Sequence, residues 1–302
     1  MLVPLYPDFI SVDIALRGEI HPRLSETVDG ISEFTFSCLY LFRNRYQYRI
    51  ALLSDGNPVI SGITPAGGSA FFMTPCGFPS SDVLANLFKT HKYWKNIPSS
   101  LLESSADGVP FMQRMETLGI IISEDRDNFD YLYSRKDLAE LSGRKFHKKK
   151  NLVNAFMKAW PVHEGRPLEK ANISDALAVL EGWKKDSGEE IDYYPAREAL
   201  EQFSALQELE GAVYYVNKKP VAYCLGESIS CGTVFVTHFE KALDRYKGIF
   251  QYMNQAFASA LPDKITMINR EQDLGNDGLR QAKMTYRPVG FVKKYRGVRY
   301  AQ

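Results

Sequence analysis

The sequence predicts an α/β protein built from two successive domains. Its 302 residues are enough for two ordinary domains, and 45% hydrophobic residues with 24% charged residues is typical of a folded globular protein. Helix and strand signals alternate along the chain, and the second half repeats the element order of the first without a residue-level repeat. We therefore expect two domains of similar architecture.

In the first half, an aromatic helix is expected at residues 34–42, followed by a β-hairpin. The hairpin strands are expected at 48–53 and 59–63, because Asp55-Gly56-Asn57 between them is typical of a hairpin turn. The other signals are a strand at 70–74, an amphipathic helix at 80–94, a helix at 110–118, an apolar run at 120–122 and a strand at 129–133.

The second half has a specific order of elements: helix, helix, three strands, helix, strand, helix, strand. The pattern indicates helices at 172–183 and 196–209, strands at 212–216, 221–227 and 233–239, a helix at 248–260, a strand at 264–268, a short helix and a final strand at 289–295.

Polar residues directly follow the predicted strand at 264–268. A strand that only contributes to the core does not end in this way. The two-residue alternation of the predicted strand would place Asn269, Glu271 and Asp273 on one face, so that two carboxylates and an amide meet near one strand end. These groups either orient an ammonium substrate, or cap the next helix and bind Arg280 in a purely structural network. For Asp273, capping is the expected role.

Basic residues follow these acids. After Gly275, either Asn276 or Asp277 is expected to cap a helix. Its exposed turn would carry Arg280 and Lys283, which are three residues apart and share a face. Cations would then lie beside acids at a strand-to-helix junction, which is a common place for a ligand.

Composition and charge narrow the classes of function. The formal net charge of +1 favours neither nucleic acid nor membrane as a partner of the whole molecule, so any basic site must be local. The four cysteines form neither a CxxC nor a His/Cys metal pattern, so no metal is expected and a reducing cytoplasm fits best. Residues 1–20 lack the features of a signal peptide, and no apolar stretch approaches the roughly 20 residues of a membrane span. The sequence predicts a soluble, cytoplasmic protein.

The order of the second half, with a strand leading into a glycine-bearing loop and a helix, resembles the GNAT acyltransferase fold. The signature of that family is Arg or Gln, two residues, Gly, one residue, then Gly or Ala, and the aligned segment here is residues 245–250. Arg245 and Gly248 match, whereas Phe250 stands where a small residue would let the backbone approach a pyrophosphate. The resemblance implies that Arg245, Lys247 and Gly248 hold the donor, while Phe250 argues against normal coenzyme A binding.

A longer resemblance covers most of the chain and rests on residues 131–138, 143–151, 238–242 and 269–283. In these segments the chain is similar to soluble relatives of the lysylphosphatidylglycerol synthase (phosphatidylglycerol lysyltransferase) C-terminal domain. The resemblance implies two tandem GNAT-like domains, at 1–142 and 143–302, each a mixed, mostly antiparallel sheet flanked by helices. The active cleft is expected mainly in the second domain.

The activity implied by this resemblance is transfer of an acyl or aminoacyl group to an amine or hydroxyl. The donor is acyl-CoA or aminoacyl-tRNA, the acceptor is a small molecule or a lipid or peptide amine, and a tRNA acceptor end is a possible partner. Residues 1–302 contain nothing like the membrane-embedded half of the lipid synthases. Transfer to phosphatidylglycerol is therefore the weakest of these expectations.

A cluster of basic residues lies at positions 144–150. One interpretation is an anion site for donor phosphates on Arg144, Lys148 and Lys149. If the segment is helical, like-charge pairs four residues apart each cost about 0.2–0.5 kcal/mol, which a bound anion would relieve. The other interpretation is a solvated helix face, where Glu140 already offsets part of the repulsion. Binding of nucleic acid by this cluster is a third hypothesis.

Two glutamates compete for the role of general base. Glu240 is the first candidate and Glu271 the second, since a carboxylate within hydrogen-bond reach can take a proton from an acceptor amine. We expect His238 and Glu240 to share one strand face where the central strands part. The structural alternative is that Glu240 pairs with a nearby cation and His238 is a satisfied buried histidine. Tyr286 is a candidate proton donor to the leaving group, as in some GNAT enzymes.

These residues suggest direct transfer. A glutamate deprotonates the acceptor amine, strand amides polarise the donor carbonyl, and cationic residues hold the donor phosphates. The alternative is a non-catalytic GNAT-like ligand-binding module that has lost coenzyme A binding, which Phe250 would permit.

Overall fold

The computed structural model describes residues 2–65, 67–106, 108–188 and 192–300. The chain divides into two compact units. The first consists of Met1–Asp130, Gln272–Asn276 and Phe291–Gln302, and the second of Tyr131–Glu271 and Asp277–Gly290. Each unit therefore contains more than one segment of the chain. The domain boundary that we predicted at residue 142 is a different matter from these compact units, and it stays a prediction.

A seven-stranded mixed sheet forms the centre of the first unit. Its strands, in spatial order, are Ile10–Ser11, Arg49–Leu52, Pro58–Ile63, Ala70–Met73, Tyr93–Pro98, Lys294–Arg299 and Ile120–Glu124. Neighbouring strands are antiparallel, except that Ala70–Met73 runs parallel to Tyr93–Pro98. The predicted hairpin is thus present, and the last strand of the chain completes the sheet of the first unit.

Short helices surround this sheet. They are Ile14–Leu16, Arg17–Ser25, Ser32–Phe34, Phe36–Leu41, Arg43–Tyr46, Ser81–Thr90, Ser99–Leu102, Phe111–Thr117 and Arg126–Asn128, and a two-stranded ribbon pairs Ser105–Ala106 with Val109–Pro110.

The single helix expected at 80–94 is wrong at its end. The helix stops at Thr90, and Trp94 lies in a fully buried central strand, Tyr93–Pro98. Trp94 packs in the same hydrophobic cluster as Leu84 and Leu87 of that helix. The apolar spacing of Leu84 and Leu87 therefore predicted the helix correctly. The expected extension of the helix to Trp94 was wrong, because aromatic residues that pack in the core favour a strand over a longer helix.

The first unit also buries a group of opposite charges. Lys294 has no exposed surface, and its Nζ donates to Glu33 and, at 2.6 Å, to Asp130. Asp130 also accepts from the backbone N–H of Ser32 at 2.9 Å. Burial opposes the charge on Lys294, but Asp130 and Glu33 outweigh it and raise the pKa of the ammonium. Backbone hydrogen bonds therefore hold the strand Lys294–Arg299 to its sheet, and buried ion pairs also tie it to Asp130 and to Glu33 of the helix Ser32–Phe34.

A second seven-stranded mixed sheet contains most strands of the second half of the chain and one strand of the first half. Its strands, in spatial order, are His163–Pro167, Leu209–Val216, Lys219–Ile229, Val234–Ala242, Met267–Asn269, Asp130–Ser134 and Gly290–Val292. Val234–Ala242 runs parallel to Met267–Asn269, whereas Lys219–Ile229 is antiparallel to both of its neighbours. The α/β class with mixed, mostly antiparallel sheets is confirmed.

The helices that follow residue 134 include the longest ones of the described ranges. They are Arg135–Glu140, Arg144–Phe146, His147–Ala159, Lys170–Asn172, Ile173–Ser187, Tyr193–Glu201, Ser230–Gly232, Ile249–Ala260 and Asp277–Met284. The strand expected at 289–295 is two strands, Gly290–Val292 and Lys294–Arg299, which belong to different sheets. Within the described ranges, no helix combines the length and hydrophobicity needed to span a membrane.

Candidate functional site

The candidate site lies where two parallel strands of the second sheet separate. Val234–Ala242 and Met267–Asn269 pair only from Val234 with Met267 to Val236 with Asn269. His238 and Glu240 follow this last pair on one strand, and Arg270 and Glu271 follow it on the other. The end of the pairing therefore leaves room for polar side chains between the strands.

A β-bulge at His238 sets the directions of these side chains. The register pairs Thr237 with Gly226 and Phe239 with Leu225, so His238 is an extra residue. Glu240, opposite Cys224, meets the helix Ile249–Ala260, while His238 meets Glu227. The expectation that His238 and Glu240 share one face is wrong, because a bulge shifts the two-residue alternation by one.

His238 links two glutamates, and we call Glu227, His238 and Glu271 the Glu–His–Glu chain. Glu227 Oε1 lies 2.9 Å from His238 Nε2, and Glu271 Oε1 lies 2.7 Å from Nδ1. The side chains of His238 and Glu227 are 1% and 2% exposed, whereas that of Glu271 is 21% exposed. The hydrogen bonds of the Glu–His–Glu chain therefore fix the orientation of Glu271, whose carboxylate is the more exposed of the two.

The backbone also fixes Glu271. Its φ is +54°, in the left-handed region, and its N–H donates to Asn269 Oδ1 at 2.8 Å. Because Asn269 is fully buried and the strand ends there, the expected alternation through Glu271 to Asp273 does not continue. Asp273 instead accepts from the N–H of Gly275 at 2.9 Å, in a turn that precedes the helix Asp277–Met284, so capping of that helix by Asp273 stays a prediction.

Two carboxylates hold His238 in its charged form. Burial alone would lower the pKa of the imidazole, but hydrogen bonds and charges from Glu227 and Glu271 outweigh it and raise the pKa to about 10. The imidazolium thus persists at neutral pH and donates to both glutamates.

This raised pKa predicts how stability depends on pH. A histidine with a pKa of about 10 when folded and about 6.5 when unfolded contributes stability fully below pH 6.5, and loses it as pH rises to about 10. The free energy of unfolding, measured with urea, should therefore fall more steeply from about pH 6.5 to pH 10 in the wild-type protein than in His238→Gln. Equal slopes in the two proteins would contradict a buried imidazolium.

Glu240 is bound on both of its oxygens. Oε1 accepts from Asn254 Nδ2 at 2.8 Å, and Oε2 forms an ion pair with Arg270. The side chains of Glu240 and Arg270 are 18% and 16% exposed. Burial opposes the charge on Arg270, but Glu240 and nearby tyrosines outweigh it and raise the pKa of the guanidinium. Glu240 therefore holds Arg270 in place as a cation.

Further cations and tyrosines surround Arg270, and we call Lys149, Arg270 and Lys283 the cation cluster. Arg270 Cζ lies 4.9 Å and Lys149 Nζ 3.9 Å from the centre of the Tyr286 ring. Lys283 Nζ donates to the backbone carbonyl of Arg270, and the Lys283 carbonyl accepts from Tyr133 at 2.9 Å. Burial and then the charge of Arg270 lower the pKa of Lys149. The structure thus brings Lys149, Lys283 and Tyr286 together with Glu240.

The signature loop before Ile249–Ala260 is covered by the helix His147–Ala159, which we call the basic helix. Gly248 has a φ of +89°, and a Cβ added there would overlap the backbone carbonyl oxygen of Leu152. Phe250 is partly buried and packs against a hydrophobic cluster that includes Phe156. The Leu152 carbonyl of the basic helix therefore lies against Gly248, where the backbone of the loop would otherwise be accessible to a ligand.

The remaining predicted residues lie further out. Arg245 and Lys247 are exposed in the loop, and Arg144 and Lys148 are exposed at the start of the basic segment. Arg280 is half-buried on the helix Asp277–Met284. These side chains are accessible for a large anionic partner, whereas the cation cluster is partly enclosed.

The sequence did not single out Glu227, Arg270 or Asn254. Glu227 and Asn254 are buried, and each contacts the site from a neighbouring element. The position of Glu227 near the end of the largely apolar strand Lys219–Ile229 is the signal that could have identified it. Because buried carboxylates need partners, it pointed to a polar network.

Comparisons with known proteins agree with this architecture. Residues 26–297 match the family described as phosphatidylglycerol lysyltransferase, C-terminal. A crystal structure of a conserved protein of unknown function from Bacteroides thetaiotaomicron is 29% identical, with 97% of this chain and 99% of that chain covered and a TM-score of 0.82. The structure of L-PGS from Bacillus licheniformis is 14% identical, with 100% and 95% covered and a TM-score of 0.64, and shares the fold.

A curated relative is an uncharacterized protein of Mycoplasmoides gallisepticum, 28% identical over 188 residues. That match covers 58% of this chain and 57% of the relative, little more than half of its length. The family match, in contrast, extends over most of the chain, from the first sheet to the last strand. With its two mixed sheets and tandem GNAT-like fold, the chain belongs to the phosphatidylglycerol lysyltransferase C-terminal family.

Proposed function

We propose that this chain transfers an aminoacyl group from aminoacyl-tRNA to an amine or hydroxyl acceptor. The family name describes lysyl transfer, and lysyl is an aminoacyl group. The observation that carries the choice of donor is the closed signature loop, where the Leu152 carbonyl lies against Gly248. An anion at a helix N-terminus needs free backbone N–H groups, and a carbonyl oxygen there repels it. This geometry disfavours the pyrophosphate of coenzyme A.

The cation cluster supports an anionic donor at a different place. The charge of Arg270 is one cause of the lowered pKa of Lys149, so the two cations repel each other. A phosphate between them would relieve this repulsion and gain two charge-assisted hydrogen bonds. In our proposal, the phosphates near the tRNA 3′ end bind Lys149 and Arg270. Exposed Arg144 and Lys148 attract the rest of the acceptor end.

The two glutamates have different roles in this proposal. Glu271 is the general base, because the Glu–His–Glu chain holds it in one orientation and its side chain is 21% exposed. Glu240, with one oxygen on Asn254 and the other on Arg270, is a positioning residue for the cation cluster. Glu271 takes the proton of the acceptor amine or hydroxyl, which forms a bond to the ester carbonyl carbon. The bond from that carbon to the tRNA 3′-oxygen then breaks, and Glu271 returns the proton to this oxygen.

The choice of donor is tested by ligand-dependent thermal stability. Binding to the native state raises the unfolding midpoint, so a bulk aminoacyl-tRNA pool should raise it while acetyl-CoA leaves it unchanged. The transfer step is then tested by measuring how much labelled amino acid passes from the tRNA to an added amine. A shift with acetyl-CoA alone would overturn the aminoacyl proposal, and no shift with either would favour a binding module that has lost its donor.

Lys149→Gln should weaken tRNA binding about tenfold at low salt. Loss of one phosphate contact on a single strand should also lower the slope of log affinity against log salt by about 0.7. Lys158→Gln is the matched control, because Lys158 is exposed near the other end of the same basic helix. Equal losses in the two variants would show that Lys149 contributes only general charge. Affinity is measured by filter binding at several salt concentrations.

A further inference from the structure

The first unit contains a separate pocket of about 920 Å³. Tyr6, Phe9 and Tyr48 contribute aromatic walls, and Arg49, Ser61 and His91 contribute polar groups. All of these residues belong to the first compact unit, and none of them has a role in the aminoacyl transfer proposed above. The volume is in the range of small-molecule sites.

Ser61 and His91 are hydrogen-bonded in this pocket. His91 Nε2 lies 2.8 Å from Ser61 Oγ, and Nδ1 lies 2.9 Å from the backbone carbonyl of Leu87. Nδ1 also lies 3.0 Å from Thr90 Oγ1, a hydroxyl that can accept as well as donate. Because the Leu87 carbonyl only accepts, we assign the proton to Nδ1. Nε2 is then the acceptor, and the Ser61 hydroxyl donates to it. This is the polarity that an activated serine nucleophile requires.

The surroundings keep His91 neutral and oriented. Burial lowers the pKa of His91, an effect that the Leu87 carbonyl only partly opposes. The ring also packs edge-on against Phe72, with centroids 5.6 Å apart. The neutral imidazole therefore stays available as a base near neutral pH.

A cation stands next to the serine. Ser61 pairs directly with Arg49 of the neighbouring antiparallel strand, so the two side chains leave the same face of the sheet. Arg49 donates to the backbone carbonyl of Phe9, which is part of the pocket wall. A guanidinium beside the nucleophile can stabilise the negative charge that develops on a carbonyl oxygen.

From this geometry we propose that Ser61 and His91 are the nucleophile and base of an esterase site for esters with an aromatic or apolar acyl group. The Ser61 oxygen adds to the ester carbonyl while His91 Nε2 takes the hydroxyl proton. The carbon–oxygen bond to the alcohol then breaks, and His91 returns the proton to the departing alkoxide. Water, deprotonated by His91, attacks the acyl-Ser61 ester and releases the carboxylic acid, restoring Ser61. Water is the only co-reactant.

The test is covalent labelling of the full-length protein with a fluorophosphonate, followed by peptide mass mapping. We expect a single adduct on Ser61, and at least a tenfold faster hydrolysis of p-nitrophenyl phenylacetate than by Ser61→Ala. His91→Gln should slow labelling by at least tenfold. Ser123→Ala, which removes an exposed serine of the strand Ile120–Glu124, should label like the wild-type protein.

Melting curves of all variants test whether each is folded. Ser61→Ala keeps His91 in place, so the comparison holds even if His91→Gln does not fold. An unlabelled Ser61 in the folded wild-type protein, or adducts only on other serines, would overturn the proposal. Ester hydrolysis equal to that of Ser61→Ala would overturn it as well. Neither result would affect the proposed aminoacyl transfer, because no residue is shared.

Discussion

Replacing Lys294 with methionine should lower the free energy of unfolding by about 3–5 kcal/mol, since it leaves buried carboxylates without their cation. Lys294 is fully buried between Glu33 and Asp130, whose side chains are 5% and 0% exposed. Methionine fills much of the same volume but offers no charge and no donor. The effect is measured by equilibrium unfolding in urea near neutral pH.

The neighbouring Lys293→Met is the matched control. Lys293 forms an ion pair with Glu124 at 2.8 Å, and both side chains are about half exposed, at 50% each. Exposed ion pairs contribute about 0–1 kcal/mol, so this variant should stay within that range. If Lys294→Met cost no more than Lys293→Met, the buried carboxylates would have to be neutral in the folded protein.

Replacing Glu271 with glutamine should lower kcat for aminoacyl transfer by about 10²–10⁴-fold, because a general base contributes rate enhancement of this order. Glutamine has the same shape and its carbonyl can still accept from His238 Nδ1. The KM for the aminoacyl donor should change little, since the cation cluster is intact. Single-turnover rates with labelled aminoacyl-tRNA measure the loss.

Glu240→Gln provides the contrast. Removing its charge frees Arg270 from its ion pair, so the KM for the donor should rise more than kcat falls. The reverse result, with kcat lost in Glu240→Gln and retained in Glu271→Gln, would give the base role to Glu240. Melting curves of both variants exclude loss of the fold as the cause.

Local patterns determined the fold class and most elements of this protein. The hairpin at Asp55-Gly56-Asn57 and the helix that follows Gly248 depend on turn chemistry and on spacing between near neighbours, which a sequence displays directly. The segments 131–138 and 269–283 likewise indicated the family, which the match over residues 26–297 confirms. The acids and cations beside the strand Met267–Asn269 were also visible as residue types.

Tertiary structure decided which of these residues meet. The bulge at His238 results from pairing with another strand, so local alternation could not predict that His238 and Glu240 would separate. Glu227 meets His238 through the pairing of two strands, and Lys294 meets Glu33 and Asp130 across long stretches of chain. The sequence by itself determined the elements and their chemistry, because these depend on neighbours along the chain. The folded structure alone decided the partners of each charge, because burial removes water and makes pairing obligatory.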